Sequence, residues 1–393
     1  MKGKKTTVLG IEKLCGSDFK AIKGARVGLV CNQASVDRNL QHSADMMASL
    51  EGIELKALFG PQHGIRGDVQ DNMVETPHDF DAETGVPVYS LYSETREPTQ
   101  QMLQDLDVIV CDLQDVGCRI YTFVYTIANC MRAAKRFGKK VIVCDRPNPV
   151  NGVAVEGNVL ETEYASFVGQ FPIPTRHGMT AGELARMFNE RWGIGCELEV
   201  VKMDGWSRDF WFDRTGLWWV QPSPNIPTLD SATVFPGTVH LEGTRMSEGR
   251  GTTRPFEIVG APYVKAGEFA RRLNSYGLPG VYFRPSNFLP TFQKHAGTVC
   301  GGVQIHVAER EQFEPVKTGV AILRVCMDLY ADDFQWKEPP YEYVFDRNPF
   351  DVIAGTDELR KALERGDSLE KIVDSWKQGE ATFEEERSPF LLY

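Results

Sequence analysis

Groups able to act as acids, bases and hydrogen-bond donors are concentrated in four short segments of this sequence. Residues 60–68 bring together an amide, an imidazole, a guanidinium group and a carboxylate on Gln62, His63, Arg66 and Asp68. Three glycines in the same segment permit tight turns and close approach to a ligand. The segment therefore predicts a binding or catalytic loop; the alternative is that the glycines only turn the chain while His63 caps a helix.

The second segment places two carboxylates, Asp112 and Asp115, around the predicted start of a helix. Arg119, Tyr121 and Tyr125 follow shortly afterwards. Aspartate caps helices well because its carboxylate accepts bonds from the first backbone amides, which gives Asp115 an ordinary structural explanation. Two carboxylates followed by a guanidinium group and two phenols also suit a polar ligand, and both interpretations stay open.

The third segment, residues 145–149, holds Asp145, Arg146 and Asn148 in a loop with two prolines. Because proline restricts the backbone, these side chains are expected to be held rigidly. A rigid loop at the ligand edge of a sheet favours a functional role over a purely structural Asp–Arg pair.

The fourth segment runs from Glu242 to Thr253 and combines two carboxylates, including Glu248, with two arginines, several hydroxyl groups and three glycines. Either Arg245 or Arg250 is suited to a two-pronged grip on a substrate carboxylate. The phosphate-binding pattern Gly-x-x-x-x-Gly-Lys-Ser/Thr is absent, because the segment contains no lysine. The structural alternative is a solvated, mobile loop.

Other common catalytic patterns are missing from the sequence. It contains neither Gly-x-Ser-x-Gly nor His-Glu-x-x-His, which argues against an α/β-hydrolase nucleophile and a zinc protease. Gly-x-Gly-x-x-Gly does not follow the first predicted strand, so nicotinamide binding is disfavoured. His63 and His177 could meet in space and bind a metal, but two isolated histidines more often form ordinary hydrogen bonds. The sequence therefore predicts neither a metal nor an organic cofactor.

Apolar runs in the first half of the chain predict the elements that must position these groups. Strands are predicted at residues 26–31, 53–59, 88–92, 106–111 and 141–144, and helices at 43–50 and 121–137. Nearly continuous apolar strands that alternate with helices are typical of a Rossmann-like α/β fold, with a parallel sheet covered on both faces. Three of the strands lead into the first three polar segments, which would converge at the edge where open parallel sheets bind ligands.

The pattern changes after Thr180. A helix is predicted at residues 181–192, a proline-rich crossing between domains at 221–227, strands at 302–307 and 319–325, and helices at 358–365 and 369–376. We therefore expect a Rossmann-like domain over residues 1–227 and an α+β domain over residues 228–393.

Composition and charge exclude several classes of partner. With 393 residues, of which 42% are hydrophobic, the chain can form one large core or two smaller ones. A formal net charge of −11 argues against nucleic acid, whose phosphates need clustered Lys and Arg. No run reaches transmembrane length and no apolar signal-peptide run follows the basic first residues, so no membrane is expected. The nine cysteines are scattered, several within apolar runs, which favours free thiols and a cytoplasmic protein.

Five motifs, in this order along the chain, resemble those of the NamZ family of exo-β-N-acetylmuramidases. They are Phe-Gly-Pro-Gln-His-Gly at residues 59–64, Asp-Leu-Gln-Asp-Val-Gly at 112–117, Asp-Arg-Pro-Asn-Pro at 145–149, Pro-Ser-Pro-Asn at 222–225 and Ser-Glu-Gly-Arg-Gly-Thr-Thr at 247–253. The resemblance covers nearly the whole chain and implies a smaller carboxyl-terminal domain, with the site in the cleft between the domains. It also implies exo-acting removal of terminal β-linked N-acetylmuramic acid from peptidoglycan fragments, without metal or organic cofactor. Soluble amino-sugar oligosaccharides and muropeptides of wall recycling are the expected substrates.

The resemblance suggests roles for the polar segments in such a hydrolase. The candidates for acid–base work are Asp115, Asp145 and Glu248. The candidates for holding the lactyl carboxylate of muramic acid are Arg66, Arg146 and Arg250, and Tyr121 and Tyr125 would form a stacking wall. The other predicted substrate-binding residues are His63, Asp68, Asp112, Arg119, Asn148, His177, Asn225, Glu242 and Thr253.

Gln62 departs from the pattern of the characterised family hydrolases, which read Pro-Glu-His-Gly and are proposed to use that Glu as the catalytic carboxylate. An amide neither gives nor takes a proton near pH 7, whereas glycoside hydrolysis commonly needs two carboxyl groups. Another carboxylate such as Asp68, Asp112 or Glu248 could do the work, or the substrate's 2-acetamido group could attack while Gln62 orients it. The third explanation is a protein that binds amino sugars without cleaving them, and a different small-molecule enzyme on the same scaffold is a further alternative. The converging carboxylates place the hydrolase first.

Overall fold

The computed structural model describes residues 6–67, 69, 75 and 77–393. The strands are β1 Arg26–Val30, β2 Glu54–Gly60, β3 Asp79–Phe80, β4 Pro87–Ser90, β5 Val108–Cys111, β6 Lys140–Cys144, β7 Glu156–Val159, β8 Pro174–Arg176, β9 Glu197–Val201, β10 Ile258–Ala261, β11 Val281–Phe288 and β12 Cys300–Val307. The α-helices are α1 Gly10–Cys15, α2 Ser43–Ala48, α3 Gln100–Leu103, α4 Phe123–Phe137, α5 Ala181–Glu190, α6 Leu229–Thr238, α7 Ala266–Asn274, α8 Pro315–Leu329, α9 Pro349–Ala354, α10 Glu358–Glu364, α11 Leu369–Asp374 and α12 Lys377–Arg387. Short 3₁₀ turns occupy Phe19–Ala21, Thr162–Tyr164, Phe212–Arg214, Val239–Gly243 and Ser388–Phe390.

The first half of the chain forms a seven-stranded sheet in the order β3-β4-β2-β1-β5-β6-β9. Its neighbouring strands are parallel except for β3 and β4 at one edge. Alternate residues of β5 belong to two separate apolar clusters, with Ile109 and Cys111 in one and Val108 and Val110 in the other. The central part of the sheet is thus buried on both faces, which is why β1, β5 and β6 are largely apolar. The predicted α/β fold with a mostly parallel sheet is confirmed.

The strand order determines which loops meet at the carboxyl edge of the sheet. Strands β2 and β5 lie on either side of β1. Gln62 follows the end of β2, and the chain after β5 runs through residues 112–122 to the start of α4. Two of the predicted polar segments therefore lie on the same edge, as the strand-end rule requires.

The second half contains a three-stranded antiparallel sheet in the order β10-β12-β11. Residues 319–325 were expected to form a strand, but they lie inside the long helix α8. The expectation was wrong because a short run that is apolar on all sides fits a buried helix as well as a buried strand. Helix α8 packs closely against α6, where a Cβ on Gly319 would lie only 2.2 Å from the carbonyl oxygen of Gly237. The run is apolar because the helix is enclosed, and Pro315 begins it.

The largest apolar core contains residues from both halves of the chain, among them Phe59, Tyr125, Phe256 and Phe350. The division into domains at residue 227 therefore stays a prediction. In the part of the chain that the structure describes, no helix has both the length and the apolar character needed to cross a bilayer.

Candidate functional site

A narrow cleft with a volume of about 40 Å³ lies beside the loop that follows β2. Its polar lining comes from that loop, from the start of α4 and from segments later in the chain: Gln62, His63, Tyr121, Thr122, Ser223, Asn225, Glu242, Arg250, Tyr341 and Glu342. Its apolar lining consists of Ile120, Val168, Ile226, Phe235, Val239 and Phe256. Buried polar groups that converge beside an apolar wall are typical of small-molecule sites.

The amide of Gln62 is held between a hydroxyl group and a carboxylate. Thr122 donates its hydroxyl to Oε1 of Gln62 at 2.9 Å. The amide nitrogen of Gln62 lies 3.4 Å from Oε1 of Glu342 and donates towards it. Tyr92 donates its hydroxyl to the other carboxylate oxygen, Oε2 of Glu342, at 2.7 Å. The motif glutamine is therefore one member of a buried chain that ends on a carboxylate.

Glu342 reaches the cleft from a tight turn. The backbone of Tyr341 and Val344 closes this turn with two hydrogen bonds of 3.1 and 2.9 Å. The two central residues, Glu342 and Tyr343, have φ values of 45° and 66°, which bulky side chains rarely adopt. Burial raises the pKa of Glu342, and the nearby Glu242 raises it further, against the opposing effects of Tyr92, Gln62 and Arg96. A strained turn thus presents a carboxyl group with a raised pKa to the cleft.

Glu242 is the second carboxylate in the cleft, and it is surrounded by donors. Arg250 donates Nη2 to Oε1 of Glu242 at 2.7 Å, and Tyr341 donates its hydroxyl to Oε2 at 2.8 Å. Glu242 thus accepts one charged and one neutral hydrogen bond, whereas the donors to Glu342 are an amide and a phenol. The two cleft carboxyl groups therefore differ in environment, as acid and base partners do in many enzymes.

Arg250 also connects the cleft to an ion pair behind it. Its Nε lies 3.3 Å from Glu248, whose other oxygen accepts a bond of 2.8 Å from Lys294. Burial would raise the pKa of Glu248, but Lys294 and Arg250 outweigh burial and lower it. The remaining guanidinium nitrogen of Arg250, Nη1, is buried and has no hydrogen-bond partner among the residues that the structure describes. One donor at the cleft is therefore left for a ligand.

A larger cavity of about 420 Å³ lies elsewhere, between β7 and the helices α10 to α12. The cations that line it, Arg365 and Lys371, both pair with Asp367. We place the site in the smaller cleft, because that cleft contains the buried carboxylates and the donor without a partner.

Six of the residues predicted from the sequence line the cleft: Gln62, His63, Tyr121, Asn225, Glu242 and Arg250. His63 adopts a left-handed backbone conformation with φ of 71°. Its Nδ1 lies 2.7 Å from the carbonyl oxygen of Val69, which fixes the ring in the loop. Tyr121 packs edge-on against Phe235 at 6.0 Å and belongs to the apolar wall.

Asp112, Arg146 and Asp145 lie at strand ends but away from the cleft lining. Arg146 makes a two-pronged ion pair with the buried Asp112, with bonds of 2.6 and 2.8 Å. Asp145 accepts bonds from Thr180 and from Tyr393, each at 2.7 Å. Burial and the nearby Glu183 raise the pKa of Asp145 to about 6, although these hydrogen bonds oppose the rise. The side chains of Asp112, Arg146 and Asp145 are therefore paired with one another or with other residues of the protein, and none of them faces the cleft.

Five other predicted residues are buried and do not line the cleft: Asp115, His177, Arg119, Tyr125 and Asn148. Asp115 accepts a bond of 2.6 Å from the backbone of Gly117, and its Oδ2 lies 3.5 Å from Nε2 of His177. Arg119 donates to the carbonyl oxygen of Ala354 at 2.8 Å. Asn148 donates to the carbonyl oxygen of Met179 at 3.0 Å. Tyr125 stacks on Phe188 with ring centroids 6.3 Å apart.

The remaining predicted residues also lie outside the cleft lining. Arg66 is largely exposed and pairs with Asp81. Thr253 is exposed to solvent. Glu248 does not reach the cleft itself but forms an ion pair with Arg250, which does. Asp68 lies outside the residues that the structure describes.

Tyr92, Thr122, Tyr341 and Glu342 were not identified from the sequence. Glu342 stands 280 positions from Gln62, and no predicted strand leads into it. The one available signal was the run of two prolines before Tyr341, since the same reasoning about rigid loops had singled out residues 145–149. Among the described residues, no group of three or more His, Cys, Asp or Glu side chains is arranged to hold a metal ion.

The chain is similar to known proteins over almost its whole length. The family model "Exo-beta-N-acetylmuramidase NamZ, N-terminal" matches residues 27–230, and its "C-terminal" counterpart matches residues 233–393. The chain is 47% identical to the peptidoglycan beta-N-acetylmuramidase NamZ of Bacillus subtilis (strain 168) over 384 residues, which cover 98% of this chain and 91% of that protein. A crystal structure of a DUF1343 family protein from Bacteroides fragilis NCTC 9343 matches with a TM-score of 0.89 and 38% identity, and covers 100% of both chains. A second such protein of the same organism matches with a TM-score of 0.78 and 30% identity, over 98% of this chain and 99% of the other.

Proposed function

Because this chain belongs to the exo-β-N-acetylmuramidase NamZ family, we propose that it is a glycoside hydrolase that removes terminal β-linked N-acetylmuramic acid from peptidoglycan fragments. Peptidoglycan is also the substrate named for the relative of Bacillus subtilis. Two buried carboxyl groups in one cleft, Glu242 and Glu342, suit this reaction, since glycoside hydrolysis commonly uses such a pair.

The proposal depends mainly on the environment of the Arg250 guanidinium group. It is 6% exposed, it lines the cleft, and its Nη1 has no partner in the described part of the chain. Muramic acid differs from glucosamine by a lactyl ether that carries a carboxylate. A buried arginine with a spare donor is the group expected to select that carboxylate, because charged hydrogen bonds are strong where water is excluded. The other arginines suggested from the sequence for a substrate carboxylate, Arg66, Arg146 and Arg245, do not line the cleft.

The other cleft residues divide between binding and shaping the sugar pocket. Asn225 and His63 offer groups that bind hydroxyl and acetamido oxygens. Tyr121, Phe235 and Phe256 form the apolar wall against which the face of a sugar ring would pack. We further propose that the cleft lies between a Rossmann-like domain and a smaller carboxyl-terminal domain, with the boundary near residue 227.

A matched pair of chromogenic substrates tests this function. The chain should release p-nitrophenol from the β-N-acetylmuramide, and at least about tenfold more slowly from the β-N-acetylglucosaminide, which lacks the lactyl group. Muropeptides with a terminal muramic acid should then lose that single sugar, which mass spectrometry would detect. Binding of the muramide without release of the chromophore would instead establish a silent amino-sugar-binding protein, the alternative that Gln62 raises. Equal turnover of the two glycosides would contradict the role of Arg250.

The cysteines support a proposal for the compartment. All nine carry free thiols, and eight of them are buried. Burial raises the pKa of several of these thiols, such as Cys15 and Cys118, each to about 12, which keeps them in the unreactive thiol form. A chain with many unpaired cysteines suits a reducing compartment, so we propose that the enzyme acts in the cytoplasm on fragments recovered from the wall.

A further inference from the structure

We propose that Glu342 is the general acid of the reaction and takes over the proton transfer that a glutamate at position 62 would otherwise provide. The inference rests on the proposed hydrolase function and assigns a catalytic residue to its site. Gln62 itself has no proton to give. Glu342 lines the same cleft, and its Oε1 lies 3.4 Å from the amide of Gln62. The proposed proton donor is thus the hydrogen-bond partner of residue 62 rather than residue 62 itself.

Glu342 has the environment that an acid requires. The residue is 3% exposed, and burial raises its pKa, so it holds a proton at higher pH than an ordinary glutamate does. The charged and titratable groups that act on it are Glu242, which favours the protonated form, and Tyr92 and Arg96, which oppose it. Glu242, by contrast, accepts hydrogen bonds from Arg250 and Tyr341. The two cleft carboxyl groups therefore have different neighbours, as acid and base partners do in many enzymes.

The backbone of the turn supports a functional rather than a structural reason for Glu342. Two-residue turns with both central residues at positive φ are usually formed by Asn and Gly, because a Cβ at these positions is strained. Here Glu342 and Tyr343 occupy them, with φ of 45° and 66°. Left-handed backbone is unfavourable for a residue that carries a Cβ. The turn keeps this strain while it holds a carboxyl group in the cleft, which is the pattern of a functional site.

The proposed step balances without a further reactant. As the bond between C1 of the muramic acid and the glycosidic oxygen breaks, its electron pair stays on that oxygen, which takes the proton of Glu342. Water then adds its hydroxyl group to C1, and the other proton of that water returns to Glu342. The positive charge that develops at C1 faces Glu242. Gln62, fixed by Thr122, and Tyr92 act as positioning residues that hold the carboxyl group of Glu342 in place.

Leaving-group chemistry separates this role from a structural one. A general acid matters for a sugar leaving group, which needs protonation, and matters little for 2,4-dinitrophenolate, which leaves without it. Glu342→Gln should lower kcat/KM for the natural disaccharide N-acetylmuramyl-β-1,4-N-acetylglucosamine by about 10²–10⁴-fold. The same variant should lower kcat/KM for the dinitrophenyl muramide by less than about tenfold, and its rate should no longer fall on the alkaline side. Glu242→Gln is the matched control, because the loss of a charge at C1 should slow both substrates alike.

Four results would overturn the inference. The acid role is wrong if Glu342→Gln cleaves the disaccharide at nearly the wild-type rate, or if it loses the same factor on both substrates. Glu342→Asp, which keeps a carboxyl group, serves as the second variant if the amide variant fails to fold, as judged by circular dichroism. It should keep more disaccharide activity than Glu342→Ala; equal activity of the two would count against the acid role. If the wild-type chain cleaves neither substrate, the proposed function itself fails, and the acid role fails with it.

Discussion

The amide nitrogen of Gln62 lies 3.4 Å from a carboxylate oxygen of Glu342, across 280 positions of the sequence. A glutamate at position 62 would place two buried carboxyl groups at this separation, and these could not both ionise. The glutamine supplies a donor instead, so that a single carboxyl group remains at this point of the cleft. The identity of residue 62 should therefore control the protonation of Glu342.

Gln62→Glu tests this control directly. A second carboxyl group beside Glu342 should raise the pKa at which the pair loses its catalytic proton, by about one unit or more. The alkaline limb of the kcat/KM profile should move to higher pH by the same amount, because that limb reports loss of the protonated acid. The measurement is hydrolysis of the disaccharide across the pH range, with apparent pKa values assigned to the pair rather than to one residue. Gln101→Glu, at an exposed position of α3, adds the same charge away from the cleft and should leave the profile unchanged. An unmoved alkaline limb in Gln62→Glu would show that Glu342 is not the titrating group.

Glu342→Gln should stabilise the fold while it removes activity. Burial raises the pKa of Glu342, so the folded state binds this proton more tightly than the unfolded state does. The stability of the wild-type protein should therefore fall as pH rises from the ordinary pKa of glutamate through the raised pKa, and each unit of the shift corresponds to about 1.4 kcal/mol. Glu342→Gln has no titrating group at position 342. Its stability should therefore exceed that of the wild type by a small amount at pH 5 and by a larger amount at pH 8. Urea unfolding at the two pH values measures this difference, and an advantage that shrinks with rising pH would contradict the raised pKa.

Arg250→Lys should lower the selectivity for muramic acid. Lysine keeps the charge, but its single nitrogen cannot occupy the three separate positions from which Nη2, Nε and Nη1 of Arg250 face Glu242, Glu248 and the ligand. The loss of one hydrogen bond to a charged group corresponds to about 1.5–3 kcal/mol, or roughly 10- to 150-fold in kcat/KM for the muramide. The glucosaminide, which has no lactyl carboxylate, should be affected much less, so the ratio of the two substrates should decrease. Arg66→Lys, at an exposed ion pair with Asp81, is the control, and it should preserve the ratio. If Arg66→Lys and not Arg250→Lys changes the ratio, the lactyl group binds at the rim and not in the cleft.

Local sequence patterns predicted five of the seven strands of the large sheet, because β1, β2, β4, β5 and β6 each contain an apolar run; β3 and β9, at its two edges, lack such a run and were not predicted. The strands at residues 26–30 and 108–111 needed only this signal together with the helices between them. Residues 319–325 gave the same signal but belong to α8, since complete burial removes the periodicity that distinguishes a helix from a strand. Enclosure by neighbouring elements is a property of the whole fold, and no short window of sequence contains it.

The residues of the candidate site were likewise only partly predictable from short stretches of sequence. Position at a strand end drew attention to Gln62, which lines the cleft, but it drew equal attention to Asp112 and Asp145. These two lie at strand ends as well, yet their oxygens are taken by Arg146 and by Tyr393, which stands far away in the sequence. Glu342 had no strand before it and was missed. Residue type and local position identify groups able to do chemistry, whereas long-range packing decides which of them face the cleft and which are paired.

Tyr393→Phe should destabilise the fold in a way that depends on pH. The Tyr393 hydroxyl donates to the buried Asp145 at 2.7 Å and accepts from the backbone of Met203 at 2.8 Å. Its removal leaves both partners short of a hydrogen bond, which costs about 1–3 kcal/mol. Burial raises the pKa of Asp145 to about 6 in spite of this bond, so wild-type stability should fall as pH rises from about 4 to about 6 and then level off.

Without the Tyr393 hydroxyl, the pKa of Asp145 should rise further. The decrease in folding stability should therefore continue to higher pH than in the wild type. The destabilisation by Tyr393→Phe should therefore be larger at pH 8, where Asp145 is ionised, than at pH 5, where it holds a proton. Urea unfolding at the two pH values measures it, and Tyr282→Phe, at a residue 59% exposed, is the matched control. The alkaline limb of the activity profile should stay in place, because Asp145 does not line the cleft. A shift of that limb in Tyr393→Phe, with equal destabilisation at both pH values, would instead support the catalytic role predicted for Asp145 from the sequence.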